Sequence, residues 1–159
     1  MNSIDTNQAD ELRDLYRELI LDHARSPRHF GKLESATHRA DGINPLCGDK
    51  LHLYLLVDDN GKIEDARFEG SGCAISVASA SLLTDTVIGL ETAAALDYFD
   101  AITKRMTQAH DEKKGHLDLG KIVALDGVRE FPSRVKCATL AWHALNSALN
   151  NQNSTVTTE

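Results

Sequence analysis

With 159 residues, 42% of them hydrophobic, the chain can bury one core but is too short for two ordinary domains. Its formal net charge is −7, its Lys and Arg are spread along the whole length, and no basic run exceeds Lys113-Lys114, which argues against a nucleic-acid partner. The N-terminus lacks a basic region followed by an apolar one, and the longest charge-free stretch, Gly70 to Thr84, is shorter than the roughly 20 residues of a spanning helix; the expectation is a cytoplasmic protein with no membrane span.

Leu12, Leu15, Tyr16, Leu19, Ile20 and His23 recur at helical spacing and predict a helix from about Gln8 to Arg25, stopped by Ser26-Pro27. A polar loop, Arg28 to Glu34, follows. The period then changes to two in Lys50 to Val57 and again in Lys62 to Phe68, with Asn60-Gly61 between them as a hairpin signal. A third strand is expected before Asn44. Beyond Gly72 the chain reads helical: a small-residue helix from Cys73 to Ile88, a second from Glu91 to Gln108, a polar stretch from Ala109 to Gly115, and a short element over Leu117 to Val128. A last helix begins near Pro132, with Ala138, Ala141, Trp142, Leu145, Ala148 and Leu149 on one face. The layout is α+β, a small three-stranded antiparallel sheet packed against several helices. Residues 1–8 are expected as a flexible N-terminus, 9–149 as a single domain and 150–159 as a disordered polar tail.

The three cysteines occupy three unlike settings. Cys47 lies in the turn Asn44-Pro45-Leu46-Cys47-Gly48-Asp49, where a thiolate and a carboxylate two residues apart can meet on one ion; Asp49 would equally serve to hold the turn's N–H groups. Cys73 follows Gly70-Ser71-Gly72 and opens a helix, whose dipole favours a thiolate, although a small buried cysteine fits the same place. Cys137 has Arg134 and Lys136 within a turn and borders an apolar face, a setting that also reads as packing. An odd cysteine count argues against a disulfide framework, and the absence of any Cys-x-x-Cys pair makes spacing alone a weak metal signal. Residues alone leave a shared site open.

A phosphate loop is excluded, because Ile75 stands where a third glycine is needed and no Lys-Ser/Thr pair follows. The histidines, His23, His29, His38, His52, His110, His116 and His143, form no His-Glu-x-x-His pattern. His143 lies about 240° round the last helix from Cys137, so a Cys-His dyad has little support.

Nearly the whole chain nevertheless resembles the NifU N-terminal/IscU type of iron–sulfur assembly proteins. The resemblance is carried by Leu15-Tyr16, Pro27-Arg28-His29-Phe30-Gly31, Asn44 to Asp49, Gly70 to Ser76 and Arg134 to Trp142, with three cysteine motifs in the right order. It implies a SufE/NifU-like fold. Lys136 replaces the histidine that scaffold-type members carry before the third cysteine, and the stretch around Ala109 to Gly127 is longer than theirs; both features resemble the SufU branch. That likeness implies Zn²⁺ held by Cys47, Asp49, Cys73 and Cys137; Cys47, on a loop flanked by Pro45 and Gly48, is expected to be the arm that moves and the catalytic sulfur acceptor. It also implies a SufS-type cysteine desulfurase as donor and a downstream iron–sulfur scaffold as recipient. The alternative it carries is a scaffold that binds a [2Fe–2S] cluster on the same cysteines.

Overall fold

The computed structural model describes residues 6–107, 119–129, 131–150 and 155–158. Helix α1 (Thr6–Arg25) precedes three strands, β1 (His38–Asn44), β2 (Asp49–Val57) and β3 (Ile63–Ser71), and then α2 (Ala74–Val87) and α3 (Thr92–Thr107). A 3₁₀ helix (Gly120–Val128), α4 (Pro132–Leu149) and β4 (Thr155–Thr157) complete the order. The expected polar connection Ala109–Gly115 lies outside the described residues, whereas Thr6 to Gln8, expected in the flexible N-terminus, already belong to α1.

The sheet has the order β3-β2-β1-β4 and is mixed: β1–β2 and β2–β3 are antiparallel, and β4 lies parallel to β1. Two expectations are thereby corrected, the three-stranded sheet and the wholly disordered tail. β1 would otherwise be a bare edge with unpaired N–H and C=O groups. The β-branched Thr155-Val156-Thr157 pairs with Asp41–Ile43, and the Thr158 N–H donates to the Ile43 carbonyl.

Alternation along β2 buries Leu51, Leu53 and Leu55 and turns Lys50 and His52 outward. Each buried leucine contributes roughly 1.5–3 kcal/mol. The β2–β3 connection holds the expected Asn60-Gly61, but the turn is wider than two residues because the Asp58 carboxylate accepts the N–H groups of Asn60 and Lys62.

The small residues of α2 allow it to approach α4 closely. Ser79 Oγ donates to the Ala138 carbonyl and accepts the Trp142 indole N–H at 3.1 Å. On its other side, α2 holds the loop after α1: Ser81 Oγ accepts the Arg28 N–H at 2.8 Å, and Thr84 Oγ1 donates to the Arg28 carbonyl at 3.2 Å. With α2 fixed between α1 and α4, its N-terminus is held against the β1–β2 turn.

Candidate metal centre

Three of the four ligands expected from the resemblance come together: the donor atoms of Cys47, Asp49 and Cys137 lie within 4.8 Å of one another. Each arrives from a different kind of element. The Cys47 N–H donates to the Asn44 carbonyl at 3.3 Å, closing a turn that Pro45 favours and that Gly48 completes at φ +72°. The Cys47 side chain is half-buried and its neighbour Leu46 is 69% exposed, so this thiol sits at an accessible edge.

Asp49 opens β2 opposite Asn44 and is wholly buried. A buried carboxylate is costly unless its oxygens are addressed. Here Oδ1 accepts the Cys73 main-chain N–H at 2.9 Å, and the Asn44 amide lies 3.5 Å from Oδ2. Gly72 permits this, because a Cβ at that position would collide with the Asp49 carboxylate.

Cys73 caps α2, its Sγ accepting the Ser76 N–H at 3.4 Å. The cap places the sulfur at the N-terminus of the helix. Its sulfur falls outside the three-residue group but borders it, within reach of the Cys137 thiol. Cys137 is fully buried on α4, and its Sγ stands 3.3 Å from that of Cys47. Burial pushes the Cys137 thiol far up, and hydrogen bonds with Cys47, Asp49 and Cys73 add to the rise.

Arg134 supplies the opposing charge. Its guanidinium is held more firmly protonated by the Cys137 thiol first, and then by the fields of Cys73 and Cys47. Lys136 is half-buried, and its carbonyl accepts Thr158 Oγ1 at 3.2 Å. His143 packs edge-on against Phe99 at 5.3 Å, on α3, in keeping with its position round the helix.

The donor set suits a thiophilic, tetrahedral ion. Bonds of about 2.3 Å to sulfur place tetrahedral ligands roughly 3.8 Å apart, a separation this group already approaches. Two features escaped the sequence reading. Asn44 was visible only as a turn residue, and Gly72 only as a flexible lead-in to a helix; neither pattern signals a contact with a distant side chain.

The residues of this site lie within a stretch, 15–156, that matches the NifU-like N-terminal domain, and the chain belongs to that family of iron–sulfur cluster assembly proteins. It is 44% identical over 138 residues to the zinc-dependent sulfurtransferase SufU of Bacillus subtilis (strain 168), covering 87% of this chain and 91% of that one. It is 42% identical over 139 residues to the iron-sulfur cluster assembly scaffold protein IscU of Streptococcus pyogenes serotype M1, covering 87% and 85%. A solved structure from Fervidobacterium islandicum AW-1, described as a scaffold protein for the SUF system, superposes with a TM-score of 0.74 at 36% identity, covering 83% of this chain and 94% of that one. No described helix is long and apolar enough to cross a membrane.

Proposed function

We propose that this protein is a zinc-dependent sulfur acceptor of the cytoplasm, in which Cys47, Asp49, Cys73 and Cys137 hold Zn²⁺ and Cys47 takes persulfide sulfur from a SufS-type cysteine desulfurase. The observation that carries the reading is the 3.3 Å approach of the accessible Cys47 sulfur to the buried Cys137 sulfur, with the Asp49 carboxylate in the same group. Likeness to a zinc-dependent sulfurtransferase over 87% of the chain supports it. Bound zinc would keep the coordinating sulfurs deprotonated at neutral pH.

The chain's own residues divide the work. Cys73 and Cys137 stay fixed on helices, while Cys47 rides on a turn bounded by Pro45 and Gly48 and is the arm free to leave. Its thiolate attacks the outer sulfur of the partner's cysteine persulfide. The new S–S bond forms at Cys47 Sγ as the partner's S–S bond breaks. The partner cysteine departs as a thiolate, and the transferred sulfur keeps the formal oxidation state it had in the donor. Arg134, beside the three sulfurs, attracts the anionic donor. The persulfide on Cys47 then passes to a downstream iron–sulfur scaffold.

A second reading, assembly of a [2Fe–2S] cluster on the same residues, draws support from the relatives named as IscU scaffolds. Lys136 favours sulfur transfer, since an ammonium cannot replace the imidazole that scaffold-type members place there. Metal content and colour separate the two. A colourless protein with one zinc supports sulfur transfer, and a stable brown cluster passed to an apo-acceptor supports the scaffold.

A further inference from the structure

We propose that Asn44 is a positioning residue for this centre: its side-chain amide orients the Asp49 carboxylate and the Cys137 sulfur, and its main-chain carbonyl sets the turn that carries Cys47. The inference rests on the zinc reading above and deepens it. Asn44 ends β1 opposite Asp49 and is wholly buried. Its Nδ2 lies 3.5 Å from Asp49 Oδ2 and 3.5 Å from Cys137 Sγ, and its carbonyl accepts the Cys47 N–H at 3.3 Å. One residue thus touches three of the four proposed ligands, drawn from a turn, a strand and a helix.

The direction of the amide follows from its neighbours. The Asp49 carboxylate accepts only, and the Cys137 sulfur would accept only once it binds an ion, so the NH₂ end faces them, and its two hydrogens serve two partners. The other end has no counterpart: Asn44 Oδ1 is buried and lacks a hydrogen-bond partner among the described residues. An apolar side chain of the same shape would avoid that unpaired carbonyl. That unpaired carbonyl offsets what donation to the buried Asp49 carboxylate contributes to the fold, whereas the orientation of two proposed ligands, Asp49 and Cys137, calls for an amide. Groups that hold metal ligands in orientation act by presetting the donors before the ion arrives.

The test compares wild type with Asn44→Leu, which keeps the shape without the donors, and with Asn44→Ala, which cannot overpack. Zinc affinity is read by competition with a chelator, melting temperature on the metal-free proteins, and ligand geometry from the visible spectrum after loading with Co²⁺. Both variants should bind zinc about 10–100-fold more weakly. The Co²⁺ bands should move in both variants, and zinc affinity should fall by more than any drop in the metal-free melting temperature accounts for, since the Leu variant also leaves Asp49 Oδ2 without its amide donor. Unchanged zinc affinity in both variants overturns the proposal. So does a metal-free melting temperature that falls together with an unshifted Co²⁺ spectrum, because Asn44 would then be a fold residue. Wild type that takes up no zinc overturns the parent reading, and this one with it; wild type that binds tightly beside equally tight variants overturns this one alone.

Discussion

The Cys73 main-chain N–H donates to Asp49 Oδ1 at 2.9 Å, so the cap of α2 and the first residue of β2 form one unit. That bond joins residues from two of the three cysteine motifs. It satisfies a buried carboxylate with a donor that α2 could not have used internally. Gly72 lies against the carboxylate, and its missing side chain permits the approach.

Gly72→Ala should therefore act on the centre rather than on the helix. The added Cβ meets the Asp49 carboxylate, and overpacking of this kind costs about 1–3 kcal/mol. The expected result is a lowered melting temperature together with loss of stoichiometric zinc, read by thermal unfolding and metal analysis. A variant with full zinc content and an unchanged melting temperature would show that Asp49 can move freely.

Cys47 and Cys137 should separate by burial. Cys47→Ala removes a half-exposed turn side chain and should change metal-free stability by less than about 1 kcal/mol. Cys137→Ala empties part of a fully buried site on α4 and should cost about 1–2 kcal/mol in the metal-free protein. Denaturant unfolding in the presence of chelator measures both, and equal costs would contradict the placement of the two thiols.

His23 gives the fold an acid sensitivity of its own. It is buried on α1, its Nδ1 pairs with Ser81 Oγ at 2.7 Å, and its Nε2 has no partner among the described residues. Burial holds its pKa below 6.5; Arg28 and Lys121 push the same way, while Asp85 and Asp22 oppose. The unfolded chain therefore binds the proton more readily, and stability rises with pH between the two values. The contribution is complete above about pH 6.5 and is lost as pH falls through the lowered folded value. Unfolding free energies of the metal-free protein from pH 7.5 to 5 should show this slope, and His23→Gln should reduce it, leaving the share of His143, whose pKa burial also lowers. An unaltered slope in the variant would exclude His23 as its source.

Much of this was legible in the chain. Period-two alternation located β2 and β3, and Gly70-Ser71-Gly72 before a run of small residues placed Cys73 at a helix start, where it caps α2. The three motifs, taken together with the family likeness, indicated one site. Asn44 was not legible in this role, because its amide acts on Cys137, far away in the sequence, and no local period encodes such a contact. β4 was hidden for a related reason: Thr155-Val156-Thr157 looks polar and unanchored until β1 offers it an open edge.

The 3₁₀ helix is tied to α3 by a two-pronged ion pair, Arg105 Nε and Nη2 each 2.6 Å from an Asp126 carboxylate oxygen. Both side chains are about a quarter exposed, so the pair should be worth roughly 1 kcal/mol rather than the value of a buried bridge. A double-mutant cycle with Arg105→Ala and Asp126→Ala should give a coupling energy of about that size, falling with added salt. Zero coupling at low salt would show that the pair does not help to hold the helix.

The central claim is that Cys47 accepts sulfur at a zinc centre. The most direct measurement is cysteine-desulfurase turnover, with a SufS-type enzyme, in the presence of zinc-loaded protein, chelator-stripped protein, stripped protein reloaded with zinc, and Cys47→Ala. The account predicts stimulation by the loaded protein, its loss on stripping, its return on reloading, and none from Cys47→Ala even when that variant is folded. Full stimulation by the stripped protein, or by Cys47→Ala, would contradict it.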